Sequence, residues 1–334
     1  LNLFEVIIHN KTENKYYAPA VLDGAKIEWT ISGAPGKFTF TIYKDETLKF
    51  VEGDTVQVKV GDKAVFFGFV FAKKRNKDSS IDVTAYDQLR YLKNKESWQY
   101  KNMTATQVIQ KLAEYFQLKV GTLADTGFVI DKRVEDNATL FDIIQGALDI
   151  TLVNTKEVYV LYDDFQKLML SKPIDMVVPI LIDNETAEDF DYESSIDKDT
   201  YNLVKLVVED KQAVGEGKRK EFYAPMSPDE FAKSKEKDQW GVLQYYEKLQ
   251  KNIQNPQERA NQMLKFYNVV RRKLDIKGAA GDIRVRAGSM IYVKLNLGDV
   301  ELAQKVLVTK VVHTFSNQAH MMDLTLKGGV INDQ

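Results

Sequence analysis

Apolar and polar residues alternate through the first 96 positions of the chain. In "GKFTFTIY", Phe38, Phe40 and Ile42 fall on one side and Lys37, Thr39 and Thr41 on the other. A period of two built from β-branched and aromatic residues predicts half-buried strands. "FEVIIHN" and "KYYAPAVLDGAKIEWTI" precede this stretch in the same style, and "SGAPG" at 32–36 and "VGDKA" at 60–64 supply turns. No helical period separates these strands, so the sheet they predict is antiparallel, and many short strands with frequent turns predict a β-barrel over 1–96.

The period changes near residue 97. "TATQVIQKLAEYFQL" sets Val108, Leu112, Tyr115 and Phe116 on one helical stripe, with Thr104 and Gln107 placed as a capping box. "TLFDIIQGALDI" repeats the plan, with Thr139 and Asp142 at the cap and Leu140, Ile143, Ile144, Ala147 and Leu148 on the stripe. "EVYVLYDD" and "KLMLS" then predict a hairpin, so 97–172 is expected to be a small α/β module.

Strand periodicity returns at 173–225, with "NLVKLVVEDK" and "RKEFYAP" joined by the turn "VGEGK". It is interrupted again. "SPDE" at 227–230 and "NPQE" at 255–258 each place Pro at a first helical position, the second with Asn255 as cap and Glu258 closing the box. Ala260, Met263, Leu264, Tyr267 and Val270 follow at helical spacing, while the aromatics of "WGVLQYYEKL" favour a strand. Strands "KLDIKG", "GDIRVRAGSMIYVKL", "KVLVTKVVHTF" and "HMMDLTLKG" finish the chain. The expected architecture is therefore mainly β with α/β: a first barrel at 1–96, the module at 97–172, and a second barrel at 173–225 and 276–334 split by a mostly helical insertion at 226–275.

The two expected barrels share wording. "EGDTVQVKV" at 52–60 and "AGSMIYVKL" at 287–295 align Gly53 with Gly288, Val56, Val58 and Val60 with Ile291, Val293 and Leu295, and Lys59 with Lys294. Further on, "IDVT" at 81–84 matches "MDLT" at 322–325. Gly53 lies 29 residues before Asp82 and Gly288 lies 35 before Asp323, a difference of loop length. The repeat predicts that the two strands occupy the same place in two similar units.

Composition narrows function mainly by exclusion. Lys and Arg number 46 against 48 Asp and Glu, a net charge of −2, which argues against sequence-specific nucleic-acid binding as the main task. With no cysteine, a disulfide framework and a Cys-ligated zinc site are both excluded. The longest apolar runs, "VVPILI" and "FFGFVFA", fall well short of the ~18 residues of a membrane span. "LNLFEVIIHN" has neither the basic region nor the cleavage site of a signal peptide, so the expectation is a soluble protein folded in the cytoplasm.

Candidate chemistry is sparse. His313 and His320 sit seven apart in "HTFSNQAH", with Asp323 nearby. A metal site would need them to converge with a further ligand; loop or strand-end histidines are the plainer expectation. Ser316 and Ser289 sit in no "GxSxG" elbow. "DNETAEDFDYESSIDKD" at 183–199 has eight acidic residues, without EF-hand spacing, and is expected to be a solvated, self-repelling loop; as a carboxylate source for glycan cleavage it is unconstrained. "VGEGK" at 214–218 lacks the third glycine of a phosphate loop, and "KKRNK" at 73–77 reads as a solvated turn. No catalytic, cofactor or metal residue is assigned.

The closing pattern "AGSMIYVKL…KVLVTKVVHTFSNQAHMMDLTLKGG" has a Gly before a strand, then Val-x-x-Val-x-His, then a Met-x-Leu-x-Leu strand. With "TYNLVKLVV" after an acidic stretch, and "WGVLQYYEKL" before "NPQERANQML", it resembles the baseplate hub proteins of contractile phage tails and tail-like bacteriocins, the late-control-D-like and prophage hub group. The resemblance covers almost the whole chain. It departs at Trp240, where Tyr is expected before Gly241. It implies a homotrimer that joins a six-fold tail tube protein to a three-fold central spike protein and contacts other baseplate proteins, with no cofactor and no catalysis. It also implies a place in the baseplate of a virion or tail-like particle, assembled in the bacterial cytoplasm. The internal repeat then gains a purpose: two similar units in each of three chains approximate six-fold symmetry. The alternatives are a tail-associated peptidoglycan hydrolase drawing on the acidic run, and a component that binds host-surface glycans.

Overall fold

A computed structural model of the chain describes residues 4–31, 33–209, 219–249, 255–296, 301–316 and 319–328. The first repeat contains β1 (Phe4–Asn10), β2 (Lys15–Tyr17), β3 (Ala25–Thr30), β4 (Lys37–Tyr43), β5 (Thr55–Val60), β6 (Lys63–Arg75) and β7 (Ser80–Tyr86). The module follows with β8 (Lys95–Thr104), α1 (Ala105–Tyr115), β9 (Val120–Leu123), β10 (Val129–Thr139), α2 (Leu140–Thr155), β11 (Val160–Asp163) and β12 (Leu168–Ser171). After β13 (Val177–Asp183) and β14 (Asp189–Ser195) come β15 (Leu203–Glu209), β16 (Arg219–Ala224), α3 (Pro228–Phe231), α4 (Lys237–Trp240), β17 (Gln244–Leu249) and α5 (Pro256–Tyr267). The chain closes with β18 (Arg271–Ala280), β19 (Met290–Asn296), β20 (Glu301–Phe315) and β21 (His320–Gly328).

The repeat written in the sequence is a repeat of topology. The order β3-β4-β7-β6-β5 in the first half matches β14-β18-β21-β20-β19 in the second. Gly53 (φ 93°) and Gly288 (φ 95°) take the same left-handed conformation, which favours a residue without Cβ. The Gly53 N–H donates to Val70 O, and the Val70 N–H to Asp54 O, each at 2.8 Å; Gly288 with Val308, and Val308 with Ser289, repeat both bonds at 2.8 Å. The residue after each glycine also closes the turn with its side chain: Asp54 Oδ2 accepts from the Val51 N–H at 2.8 Å, and Ser289 Oγ from the Arg286 N–H at 3.1 Å. A register shift follows at Val70/Ala72 in β6 and at Val308/Lys310 in β20. Such bulges bend a strand, and here each divides a long strand into a half that pairs with β5 or β19 and a half that pairs with β7 or β21. Gly53 precedes Val70 by 17 positions and Gly288 precedes Val308 by 20, while Val70 precedes Asp82 by 12 and Val308 precedes Asp323 by 15. The length difference is thus split evenly between two turns.

The halves do not close as separate barrels. They are two stretches of one thirteen-stranded sheet, and among the described residues no ladder returns from β1 or β2 to β3. The physical reason is the outer edge of β3. Left open it would expose unpaired backbone groups; instead the far half of β20 covers it, in register from Lys310↔Thr30 to Phe315↔Ala25. One core lies along both halves: Ile8, Ile27, Phe38, Val56 and Val58 from the first, Ile291, Val293, Val308 and Phe315 from the second, with Phe4 and Phe315 ring centroids 5.1 Å apart.

Because Gly53 has open space around its α-carbon whereas a Cβ on Gly288 would lie 2.8 Å from Val160 Cγ1, the repeat makes a differential prediction. Gly53→Ala should cost only the backbone strain, ~1 kcal/mol. Gly288→Ala should cost ~2 kcal/mol or more, because overpacking adds to the strain. Equal losses on denaturant unfolding would contradict this difference in packing.

In the module both caps form as the sequence predicts. Thr104 Oγ1 accepts from the Gln107 N–H and Gln107 Oε1 accepts from the Thr104 N–H; Thr139 and Asp142 do the same before α2. Val108, Ile109 and Leu112 of α1 share one buried core with Ile143, Ile144 and Ala147 of α2. Tyr115, expected on that stripe, is exposed.

A second compact unit includes 193–272. β15 is its central strand, antiparallel to β16 and parallel to β17, and α5 packs Ala260 and Met263 against Val204 and Leu206. β15 and β16 were expected in the second barrel. They belong instead to this separate sheet, since Leu203, Val204, Leu206 and Val207 are all buried and a strand buried on both faces needs neighbours on each side. Asn255 makes no side-chain cap at α5, and Val270 lies beyond the end of that helix, exposed. "VGEGK" at 214–218 lies outside the described residues.

Candidate functional site

The densest polar site is a buried joint where the first repeat, the module and the second repeat each contribute residues. Asp87, at the exit of β7, is buried and caps the short 3-10 helix Gln88–Lys93: its Oδ1 accepts from the Leu89 N–H at 3.0 Å and its Oδ2 from the Gly36 N–H at 2.9 Å. A Cβ on Gly36 would sit 2.2 Å from Asp87 Oδ2, so glycine there permits the approach. Gln88 Nε2 donates to Asp163 Oδ2 at 2.7 Å, and Asp163 Oδ1 accepts from the Gln166 N–H at 3.1 Å. Arg286, on the turn leading to β19, donates to Asp163 O at 2.5 Å. Its guanidinium lies 4.2 Å from the Tyr162 ring centroid and 5.2 Å from that of Trp29, a cation held between two π-faces.

Burial pushes the Asp163 carboxyl up to about 6. Burial, and next the Asp163 charge, raise Asp87 well above the usual carboxylate range. Every oxygen of both carboxylates already accepts a hydrogen bond. The arrangement fixes three pieces of chain together; it is a structural joint.

The two histidines do meet, and they stand at strand ends, as the plainer expectation had it. His313 is fully buried in β20, and His320 opens β21. His313 Nε2 lies 2.8 Å from Val285 O and its Nδ1 2.8 Å from His320 Nε2. The carbonyl fixes the proton on His313 Nε2, so Nδ1 accepts from His320. Burial pulls His313 down to about 3 and lowers His320 as well. Asp323 stands apart, accepting from the Gly278 N–H. Among the described residues no group of three or more His, Asp or Glu side chains is placed to hold a metal ion. Ser289 and Ser316 serve their own turns, accepting from the Arg286 and Ala319 N–H groups.

The histidine and the aspartate oppose one another in acid. His313 has a folded pKa near 3, depressed from ~6.5, so its contribution to stability is complete above that value and drains away as pH falls toward 3. Asp163 has a folded pKa near 6, raised from ~3.9, so its contribution is complete below pH ~4 and is lost as pH rises through 6. Asp87 has the same sign. Between pH 4 and 6, Asp163→Asn should steepen the rise of melting temperature with pH, and His313→Gln should flatten it. Parallel profiles for both variants and the parent would refute these assignments.

The two charged runs are elements of the sheet. The acidic run is not a loop: it forms the end of β13, a turn in which Asp183 Oδ1 accepts from the Glu185 and Thr186 N–H groups, and β14. Lys277 Nζ lies 3.6 Å from Asp189 and 3.1 Å from Asp191. The basic run is a turn only in part: Lys73, Lys74 and Arg75 belong to β6, and Lys77 lies in the turn that leads to β7.

The model of the YQBQ-like family matches residues 25–327. The chain belongs to the YQBQ-like family. Among relatives of this YQBQ-like chain, the phage-like element PBSX protein XkdQ of Bacillus subtilis (strain 168) is 28% identical over 331 residues, spanning 96% of each sequence. Among solved structures, the 43 kDa tail protein of prophage MuSo2 from Shewanella oneidensis superposes with a TM-score of 0.66 at 13% identity, over 96% of this chain and 98% of that one. The E. coli c3393 protein, a type VI secretion component described as similar to the T4 tail proteins gp27 and gp5, gives 0.52 at 12% identity, over 92% and 73%. The YQBQ-like chain has the fold of prophage tail proteins.

Proposed function

We propose that the chain is a structural hub of a contractile-tail baseplate, a trimeric adaptor between a six-fold tail tube and a three-fold spike. The observation that carries this is the repeat: β3-β4-β7-β6-β5 and β14-β18-β21-β20-β19 are equivalent units joined edge to edge by β3 and β20. Each unit corresponds to one tube-type domain, so a chain offers its neighbours two similar surfaces, and three chains offer six. Symmetry of this kind lets one sequence bind a ring of six with three copies. The kinship with a PBSX protein and the tail-protein fold support a place in a tail or tail-like particle, assembled in the bacterial cytoplasm, with tube, spike and other baseplate proteins as partners. The role is one of assembly rather than catalysis.

Co-expression with the central spike protein of the same particle, followed by native mass measurement, tests this reading. Three copies of the chain per spike trimer are expected. A one-to-one complex of single chains, or release of dye from labelled cell walls by the purified chain, would contradict it.

A further inference from the structure

The joint inside the chain implies a matching joint between chains. β3 is covered on its outer edge by Lys310–Phe315 of β20, and Lys310 Nζ reaches Glu28 Oε1 at 3.1 Å across that seam. Alignment of Val308 with Val70 places Ala72–Arg75 of β6 where Lys310–His313 of β20 stand. That half of β6 pairs with β7 on one side, from Ala72↔Thr84 to Arg75↔Ile81; among the described residues no strand lies on its other side. β14, the counterpart of β3, ends the sheet beyond β18. Among the described residues the chain thus makes one such joint and leaves both halves of a second one open.

The two open edges carry opposite charge. Lys74 and Arg75 are exposed on β6, with Lys73 beside them over the Phe50 ring and 4.0 Å from Glu52. Lys74 faces Asp82 across the ladder. Asp189 and Asp191 are exposed on β14, preceded by Glu185 and Glu188, and both lie within ion-pair reach of Lys277. Charged edges deter indiscriminate strand addition. Between these two edges, like charges repel and unlike charges attract, which favours β6 with β14 over either edge with itself.

We propose that β14 of one copy adds to the Ala72–Arg75 half of β6 of a second copy, repeating the β3–β20 joint between chains. The contact is head to tail, and such contacts close into rings when the rotation fits. This rests on the ring reading above and specifies its contact surface.

Charge reversal in assembled particles tests it. Lys74→Glu with Arg75→Glu, and separately Asp189→Lys with Asp191→Lys, should each lower the yield of particles carrying the chain by roughly tenfold or more, because facing like charges oppose association. Combining all four substitutions should restore most of the yield. Thermal melts of the purified variants should match the parent, as these side chains lie at the surface. Unchanged yield in particles that still hold three copies, or loss without recovery in the combined variant, would overturn the joint and leave the hub reading standing. Particles holding six copies would overturn both.

Discussion

Arg286→Ala is expected to destabilise the chain by about 3 kcal/mol, as removal of one partner from a buried charge network does. The substitution withdraws a donor from Asp163 O and empties the space between Tyr162 and Trp29. It also removes the cation that offsets two buried carboxylates. Arg286→Lys should recover little, because an ammonium lacks the planar face that stacks on both rings. Chemical denaturation with tryptophan emission as the signal suits this test, since Trp29 is in the joint. Full recovery by lysine would mean that charge alone matters.

Ala147→Asp should be at least as damaging. Ala147 is fully buried on α2 among Leu140, Ile143, Ile144 and Leu148. These neighbours are apolar and carry no compensating charge, and an uncompensated buried charge costs ~3 kcal/mol or more, through ionisation or through the forced uptake of a proton. Proteolysis should reach the segment between β8 and β12 sooner than in the parent. An unchanged melting curve would mean that the face assigned to α2 is wrong.

What was legible in the sequence was legible for physical reasons. Gly53 and Gly288 announce a left-handed turn that few other residues accept, and the alternating valines after Gly53 announce an inward strand face. Together they mark the repeat in the sequence. The capping boxes at Thr104 and Thr139 are local in the chain and therefore readable from it. The long-range contacts were not readable. No spacing announces that Arg286 will lie over the Tyr162 and Trp29 rings, or that a buried His313 will hydrogen-bond to a half-buried His320 seven residues on. Closed barrels were expected because strand periodicity says nothing of which edges meet, and β20 pairs with three strands. The acidic run suggests a loop and the basic run a turn because charge signals solvation, whereas edge strands are also charged. One misassignment had an available signal: "LVKLVV" lacks the alternation of a half-buried strand, and that is the mark of a central one.

The central claim is that two equivalent units per chain convert three-fold into near six-fold symmetry. Cryo-electron microscopy of the intact particle tests it most directly. Three copies of this chain should lie beneath a six-fold tube ring, with the two repeats contacting it in two near-equivalent sets. Six copies at that level, or density for the chain on the tail fibres, would contradict the account.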